Sequence, residues 1–492
     1  MKIVSKIIPV LFAVALVACG GKGKQADYTE DVHGLSDLAG KKVSVLAGSV
    51  QELKVDEISP KPEVLRLNSI PEVIEAVKKG RADFFINDTV CLIGSGYEED
   101  GLKVVFSTNE IAGNMAFGFN LGNASLCNEL NEFLARYRAD GRLDAAKDRW
   151  TKGDVKNVVM EHPKLNPDGE LIRIGCCSNF PFTFIQNGRQ AGFEVEIVEA
   201  FAAETGRNVE FVTIDFSGMI AALATNKIDL IASSMVVTPE RSKKVLFSDS
   251  YYYCSSVVVA RNAEHEAVRK SIVSTVKEGF YNNLIVESRW KIVLDGLLET
   301  VIISLCSILL GTLFGGFICW MRLSRRKVLD GIAKVYIEII RGVPILVLLM
   351  LMFYVMFAQS SISARWVAVI AFSMNFGAYV SEMFRTGIQS VDKGQREAGL
   401  AMGFTPFKTF VNFIVPQAAK RVLPIFKGEA VSLFKNTSVV GFIAIQDLTK
   451  ASEIIRARTF DAFFPLIVIS ILYFILAWLL GKLLDGLAKK IA

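Results

Sequence analysis

The side chains that most often carry enzyme chemistry are sparse in this 492-residue sequence. It has three His and eight Cys, and the cysteines show neither paired CxxC spacing nor the Cys/His spacing of a zinc site. No Ser/His/Asp or Cys/His arrangement accompanies the few histidines. A GxxxxGK[ST] phosphate-binding loop is also missing, so the chain cannot hydrolyse ATP by that chemistry. These patterns point away from catalysis, a metal site or a cofactor, and toward binding or transport.

One polar stretch interrupts the apolar second half of the chain: residues 394–418, which read GQREAGLAMGFTPFKTFVNFIVPQA. Its charged and long polar side chains include Gln395, Arg396, Glu397 and Lys408. Because long apolar segments flank it on both sides, we expect a cytoplasmic loop between two membrane spans. Ala398, Ala401 and Met402 recur at spacings of three and four, so they share one face of a short helix. Gly403 is placed to end that helix.

This stretch resembles the EAA loop of ABC importer permeases, whose helix docks into a cleft on a separate ATPase. Glu397-Ala398, Gly403 and Ile414-Val415-Pro416 stand at the family spacing. The third motif position holds Gly399 where the family has Ala, and glycine weakens a helix slightly. The resemblance implies an ATPase-docking knob at Glu397, Ala398, Gly399 and Gly403. An ordinary amphipathic surface helix is the alternative.

Length and composition divide the chain into soluble and membrane parts. Its 492 residues give room for about three domains. A hydrophobic content of 51% is too high for an all-soluble protein, and the apolar residues concentrate after Trp290. The formal net charge of +5 is small, and the surplus Lys and Arg sit in short loops beside apolar runs. We therefore expect the last two fifths to lie in membrane lipid, and we expect no nucleic-acid partner.

The amino terminus has the pattern of an export signal. Met1–Ala18 begins with a basic segment and continues as an apolar run too short to span a bilayer comfortably. The sequence LVACG around Cys19 resembles the lipobox of bacterial lipoproteins, in which this cysteine is lipidated and becomes the first residue. The resemblance implies a lipoprotein signal peptide over residues 1–19 and a flexible tether over residues 20–34. An uncleaved anchor is the alternative.

Two soluble segments follow, and their motifs stand in inverted order. Residues 35–154 show strand patterns at Lys42–Ala47 and Asp83–Asn87 and helix patterns between and after them. They resemble the latter part of a family 3 periplasmic amino-acid-binding domain, through DLAGKKVSVLAGS, GRADFFIND and RADGRLDAAKDRW. Residues 171–262 resemble its first half, through IRIG, FPFTF, GFEVEIVEAFAAETG and DLIASSMVVTPERSKKVLFSDSYYY. Residues 155–170, rich in Pro, Gly, Asp and Lys, are typical of a linker.

The resemblance therefore implies an α/β two-lobed clamshell whose halves are circularly permuted. We expect Leu35–Gly118 to form the family's second lobe, and Phe119–Trp150 to return and complete the first lobe with Leu171–Arg261. Chain termini often lie close together in such folds, which makes this rearrangement tolerable. Two unrelated half-domains, each completed by another chain, are the alternative.

A cleft that binds an amino acid must pair both a carboxylate and an ammonium, because a buried unpaired charge is expensive. Thr238-Pro239-Glu240-Arg241 resembles the family's TxER motif, whose Arg forks onto the ligand carboxylate. Asp88, at the end of GRADFFIND, matches the family Asp that pairs with the α-ammonium. A surface position for Arg241 and a helix-capping role for Asp88 are the alternatives.

Six further residues complete the ligand site that the resemblance implies: Ser49, Ser233, Ser234, Thr238, Phe180 and Phe216. The hydroxyl residues would donate to the ligand carboxylate, with Ser49 beginning a helix whose amides face it. The two Phe residues match positions that sandwich the ligand side chain, and ordinary core packing is their alternative. Cys176-Cys177 stands where many relatives have an acidic residue, so the expected ligand is a neutral polar or small amino acid.

The remaining chain is predicted to be an all-α transmembrane permease bundle. Residues 263–284 are a charged connector, and residues 285–492 hold about five apolar stretches, each near the ~20 residues needed to cross a bilayer. The expected spans are Val293–Trp320, Tyr336–Phe357, Trp366–Phe384, Leu423–Ile445 and Phe463–Leu484. Basic clusters follow the first and last spans, which places the 394–418 loop inside and the clamshell outside. The runs LLET, YIEIIRGVP and FKNTS resemble the polar amino-acid permeases at successive positions.

Together these resemblances imply an ABC importer subunit that fuses an amino-acid receptor to its permease in the bacterial inner membrane. A partner ATPase would supply the energy. Because one permease module supplies half a pathway in this family, a homodimer with two ATPases is expected. Clamshell domains also gate pores and act in sensors, so a ligand-gated channel and a sensor without transport are the alternatives. A channel would need a filter such as TVGYG, and no such run is present.

Overall fold

The computed structural model of the chain describes residues 32–93, 95, 97, 98, 101–262, 272–324, 326–358, 360, 362–461 and 463–491. The expected signal peptide with Cys19, residues 20–31 of the expected tether and residues 263–271 of the expected connector lie outside the described residues. Two compact units are present. The first contains the described residues up to Val293 together with Ala451–Ile467, and the second contains Leu294–Lys450 together with the described residues from Val468 onward.

The first unit is built on two five-stranded sheets and one small hairpin. Its strands are β1 Lys42–Leu46, β2 Glu63–Leu67, β3 Phe84–Asp88, β4 Leu102–Met115, β5 Gly118–Phe119, β6 Leu171–Cys176, β7 Phe184–Gln186, β8 Arg189–Ala191, β9 Asn208–Thr213, β10 Leu230–Ile231, β11 Leu246–Phe247 and β12 Tyr252–Arg261. One sheet has the order β2-β1-β3-β12-β4 and defines lobe I. The other has the order β11-β5-β10-β6-β9 and defines lobe II, which also carries the β7-β8 hairpin.

Helices with one apolar face pack against these sheets. They are α1 Val50–Asp56, α2 Ile70–Lys78, α3 Ala124–Ala139, α4 Arg142–Thr151, α5 Phe193–Glu204, α6 Met219–Ala224 and α7 Pro239–Ser242, followed by α8 Ile272–Phe280. On α5, Phe193, Ile197 and Phe201 recur every four residues and are fully buried. The helix α2 carries Pro71 in its first turn, where the missing N–H costs nothing.

Each sheet takes strands from both sides of the 155–170 segment. In lobe II, β5 precedes that segment, and β6, β9, β10 and β11 follow it. In lobe I, β12 follows the segment and runs antiparallel between β3 and β4, with Ser256 opposite Asp88. We expected the chain up to Arg261 to lie in the family's first lobe, which corresponds to lobe II. The structure instead places β12 in lobe I, and this corrects the expectation. The buried run Val257-Val258-Val259 needs strands on both of its edges, and lobe I supplies them.

Two neighbouring connections carry the chain between the lobes. One runs from β4 to β5 and the other from β11 to β12. The amide of Tyr251 donates to the carbonyl of Met115 over 3.1 Å, and the amide of Ser248 donates to the carbonyl of Phe117 over 2.9 Å. The two connections are therefore hydrogen-bonded side by side, and they are where the lobes can pivot.

From residue 290 onward the structure is helical. These helices are α9 Trp290–Leu323, α10 Lys327–Gly342, α11 Ile345–Leu351, α12 Ala364–Gln389, α13 Lys393–Ala401, α14 Pro406–Thr409, α15 Val415–Asn436, α16 Leu448–Thr459 and α17 Phe464–Ile491. The predicted fold class, an α/β clamshell followed by an all-α bundle, is confirmed.

Among the described residues, three helices are long and apolar enough to cross a membrane: α9, α12 and Phe464–Gly486 of α17. A fourth span results if α10 and Ile345–Met356 count as one bent pair, with 105° between them. The break at Val343-Pro344 falls inside the expected span Tyr336–Phe357, because proline cannot continue the helix before it.

The expected fourth span, Leu423–Ile445, differs more from the structure. Most of it lies in α15, which is not among the helices apolar enough to cross. Lys427, Glu429 and Lys435 account for this, and Pro424 stands inside the helix. The expectation of about five spans is therefore higher than the number this part of the chain supports.

Replacement of Trp150 by Ala should lower the free energy of unfolding by about 3–5 kcal/mol. The indole is fully buried, its Nε1 donates to Glu196 Oε2 over 2.7 Å, and its ring lies 5.7 Å from that of Phe184. Chemical denaturation of the full-length protein, followed by fluorescence, measures the change. The control is Tyr253→Ala, an exposed aromatic of the same unit, and an equal loss in both variants would contradict the prediction.

Candidate functional site

The most informative side chain of the clamshell is that of Arg241, which begins in lobe II and ends at lobe I. Thr238 caps α7, and its Oγ1 accepts the amide hydrogen of Arg241 over 3.2 Å. The guanidinium donates from Nη1 to the carbonyl of Val236 over 2.7 Å and from Nη2 to the carbonyl of Gly48, on lobe I, over 2.8 Å. Its Cζ also lies 5.4 Å from the ring centroid of Phe216. Arg241 is buried, so it joins the lobes across a cleft.

The turn between β1 and α1 forms the lobe I wall beside Arg241. Gly48 has φ +80°, which favours glycine, and a Cβ there would lie 3.6 Å from the Cα of Ser217 on lobe II. Ser49 caps α1, and its Oγ accepts from the amide of Glu52. The amide of Gly48 donates to Glu52 Oε2 over 2.6 Å. The carbonyl of Gly48 accepts from Arg241. That amides of this turn face a ligand carboxylate stays a prediction.

Asp88 ends β3 on the same lobe and is buried. Its Oδ1 accepts from Gln51 Nε2 over 2.7 Å and from the thiol of Cys254 over 3.5 Å. Burial raises the pKa of Asp88 to about 6, and the positive charge of Arg241 acts in the opposite direction. Burial in turn lowers the pKa of Arg241, and the charge of Asp88 counteracts this. The two opposite charges are thus within electrostatic reach of one another.

The predicted hydroxyl residues line the floor of lobe II. Ser233 Oγ lies 2.8 Å from Cys177 Sγ, and Ser234 Oγ accepts from Asn179 Nδ2 over 2.6 Å. Ser234 has φ +44°, a strained conformation for a residue other than glycine. Strain of this kind clusters at ligand-binding sites, and here it turns the amide of Ser234 toward a buried carboxylate.

That carboxylate belongs to Glu194, which sequence reasoning missed. It is fully buried, and its Oε1 accepts from the amide of Ser234 over 2.6 Å and from the hydroxyl of Tyr251. Its Oε2 has no partner within the described residues. Burial raises the pKa of Glu194 to about 7. The signal was present in the sequence, since an acidic residue between Phe193 and Val195 stands inside an apolar helical run.

The two predicted aromatic residues have different positions. Phe216 lies beside Arg241, as described above. Phe180 is buried, with its ring 4.9 Å from that of Phe184 and 4.5 Å from the Cζ of Arg458. The contacts of Phe180 are thus those of a core residue, because an apolar side chain next to a strand gains most from burial.

The predicted ATPase-docking loop is a capped helix followed by a turn. Asp392 caps α13, with Oδ1 accepting from the amide of Gly394 over 2.7 Å. Glu397 and Ala398 are exposed. The helix closes at Gly403, with φ +84°, where the amide of Phe404 donates to the carbonyl of Gly399 over 3.1 Å.

Gly399 has a packing role that its helix propensity does not reveal. It is the buried residue of α13, and a Cβ at this position would lie 2.5 Å from Thr409 Cγ2. We expected glycine here only to weaken the helix. In the structure its absent side chain lets α13 approach Thr409, while Leu400, Met402 and Phe407 remain exposed on the loop.

Comparisons with known proteins find similarity to solute-binding proteins and to amino-acid transporter permeases. Residues 172–420 match the family described as bacterial extracellular solute-binding proteins, family 3. The probable amino-acid ABC transporter permease protein YckA of Bacillus subtilis is 34% identical over 214 residues, which cover 43% of this chain and 94% of that protein. The L-cystine transport system permease protein TcyB of the same organism is 34% identical over 211 residues, covering 42% and 90%. A solved structure described as an amino acid ABC transporter with histidines covers 45% of this chain and 100% of its own, with 33% identity and a TM-score of 0.39.

Glu194 should make the stability of the protein fall as the pH rises. Its pKa lies near 4.5 in the unfolded chain and is raised to about 7 by burial, so the folded protein keeps a proton that the unfolded chain loses. The stabilisation is complete below pH 4.5 and is lost as the pH rises through about 7, a change of roughly 3 kcal/mol. Asp88 contributes with the same sign between 3.8 and about 6.

Denaturation of the full-length protein at pH 5 and at pH 8 measures this effect. Glu194→Gln should reduce the difference in unfolding free energy between the two pH values, because the amide does not titrate. Glu210→Gln, at an exposed position of lobe II, is the control and should leave the difference unchanged. A wild-type pH dependence in Glu194→Gln would show that another group is responsible.

Gly399→Ala should destabilise the loop by about 1–3 kcal/mol, because the new methyl group overlaps Thr409. Helix propensity alone gives the opposite sign, since alanine favours a helix over glycine by about 1 kcal/mol. Thermal unfolding of the full-length protein in detergent separates the two. The double variant with Thr409→Ala removes the overlapping atoms and should recover the loss; a stabilised single variant would refute the packing argument.

Proposed function

We propose that the chain both captures an amino acid outside the cytoplasm and conducts it inward. The chain belongs to the bacterial extracellular solute-binding proteins, family 3, and in its membrane half to the amino-acid ABC transporter permeases. Such a chain is a subunit of an amino-acid ABC importer. The energy comes from ATP hydrolysis on a separate ATPase chain.

The observation that carries the capture step is the buried guanidinium of Arg241. In the structure its Nη1 and Nη2 groups donate to two neutral carbonyls, those of Val236 and Gly48. A carboxylate is a better acceptor, because charge-assisted bonds are roughly twice as strong as neutral ones and an Arg fork matches both carboxylate oxygens. The ligand carboxylate therefore takes the place of the Gly48 carbonyl, and Ser49, Ser233, Ser234 and Thr238 stand around that position.

Asp88 receives the ammonium group of the same ligand. In the closed lobes it is held by Gln51 and Cys254, and burial opposes its ionisation. A ligand ammonium beside it reverses this, because an opposite charge within about 4–6 Å favours the ionised carboxylate. The remaining wall offers thiols, hydroxyls and the amide of Asn179, with Phe216 on one side, so the ligand is a neutral polar or small amino acid.

The loop that carries Glu397, Ala398, Gly399 and Gly403 is the docking site for the ATPase. Its exposed apolar residues form a surface of the kind that a partner protein covers: Leu400, Met402, Phe404 and Phe407. One permease module forms half of a pathway, so two copies of this chain assemble with two ATPases in the bacterial inner membrane, with the clamshell on the outer side. Lipidation at Cys19 tethers the clamshell to that membrane.

Arg241→Lys should weaken amino-acid binding about 10- to 100-fold, and Arg241→Ala should abolish it. Lys keeps the charge but loses the fork, and one charged hydrogen bond is worth about 1.5–3 kcal/mol. Titration calorimetry of the purified full-length protein with each of the common amino acids identifies the ligand and measures the loss. Arg173→Lys is the matched control, since that arginine pairs with Asp229 elsewhere in lobe II. Unchanged affinity in Arg241→Lys would refute the cleft assignment.

Uptake of the ligand so identified into proteoliposomes, with the ATPase that co-purifies with the chain, tests the transport step. Uptake should require ATP on the side of the membrane where the ATPase is bound. Flux without ATP would favour the ligand-gated channel instead, and binding without flux would favour the sensor.

A further inference from the structure

The helix α16, which lies between α15 and α17 in the sequence, packs on the clamshell through its second half. The boundary between the two compact units falls inside this helix, after Lys450, and Ala451–Ile467 belong to the clamshell unit. Ala451 and Ile454 form an apolar cluster with Ile185 of lobe II and with Ile292. Nothing in the sequence patterns assigned a role to these residues.

Arg458 fixes this helix to lobe II. Its Cζ lies 4.5 Å from the ring centroid of Phe180 and 4.6 Å from that of Phe184, a cation–π arrangement. Its Nη2 also donates to the carbonyl of Lys156 over 3.2 Å and to Glu287 Oε1 over 2.7 Å. The Arg458 side chain is only 6% exposed, so these contacts are shielded from water and salt.

Arg456, two residues earlier, fixes the same helix to lobe I. Its Nη2 lies 3.1 Å from Oε1 of Glu72 on α2. The Arg456 side chain is 7% exposed, and its Nε has no partner among the described side chains and backbone. Beyond the helix, Lys79 of lobe I places its Nζ 4.8 Å above the ring of Phe463. One short segment therefore holds both lobes.

We infer that residues 451–461 form a clasp that stabilises the closed clamshell and signals closure to the last span. The two lobes are in contact where Arg241 donates to the carbonyl of Gly48, and we take this arrangement as the closed state. Opening about the two connections changes the distance between Glu72 and Phe180, which lie on different lobes, and a rigid helix cannot follow both. The clasp contacts thus belong to the closed state, and a group that binds one state shifts the population toward it.

The inference rests on the proposed function, because it gives the clasp a role in transport. Ligand binding and the clasp contacts both favour the closed state of the lobes. Each therefore increases the equilibrium constant of the other by the same factor. The chain leading into α17 is consequently held in one position when the cleft is closed and is released when it opens. Arg456 and Glu72 are positioning residues in this scheme, since neither is placed at the ligand.

Hydrogen–deuterium exchange of the full-length protein in lipid nanodiscs tests the clasp. Glu72→Gln removes the ion pair to Arg456 and should speed exchange about fivefold at amides 451–459. It should also speed exchange at amides 48–52, in the lobe I turn whose Gly48 carbonyl accepts from Arg241. Glu63→Gln is the matched control, an exposed residue of lobe I paired with Lys42, and it should change neither region.

The charge-swapped double variant, Glu72→Arg with Arg456→Glu, should bring both regions back toward the wild-type exchange rates. Wild-type exchange at amides 48–52 in Glu72→Gln would overturn the clasp, since the ion pair would then be a local contact. Failure of the swap to restore the cleft amides would do the same. Neither result touches ligand binding through Arg241, so the clasp and the proposed function fail separately.

Discussion

The need to pair one buried guanidinium dominates the architecture of the clamshell. Arg241 is held away from water, and no single lobe supplies all of its acceptors: Val236 comes from lobe II and Gly48 from lobe I. An unpaired charge in such a place would cost several kcal/mol. The lobes must therefore meet around Arg241, and the φ +80° turn at Gly48 lets the backbone come close enough to do so.

The same constraint links the cleft to the pivot between the lobes. Tyr251 lies in one of the two connections, donates its hydroxyl to Glu194 and donates its amide to the carbonyl of Met115 in the other connection. Glu194 in turn accepts the amide of Ser234 at the floor of the cleft. A continuous set of hydrogen bonds thus runs from Ser234 to the two connections between the lobes.

Sequence patterns located most of these parts but not their partners. Periodicity predicted β1 and the helix α2 between β1 and β3, because those signals are local. The sheet of β12 could not be predicted, since an apolar run shows that a strand is buried but not between which strands. The family resemblance predicted that Phe180 lies in the cleft. Its contact with Arg458 depends on a segment nearly 280 residues later in the sequence. Glu194 carried a local signal, and its meaning required Tyr251.

The position of β12 between β3 and β4 has a consequence for synthesis of the protein. As the chain is synthesised, β1 to β4 appear long before residue 252, and in that interval β3 and β4 lack the strand that joins them. Open strand edges are templates for unwanted pairing. This strand order therefore lengthens the period during which the nascent chain exposes open strand edges.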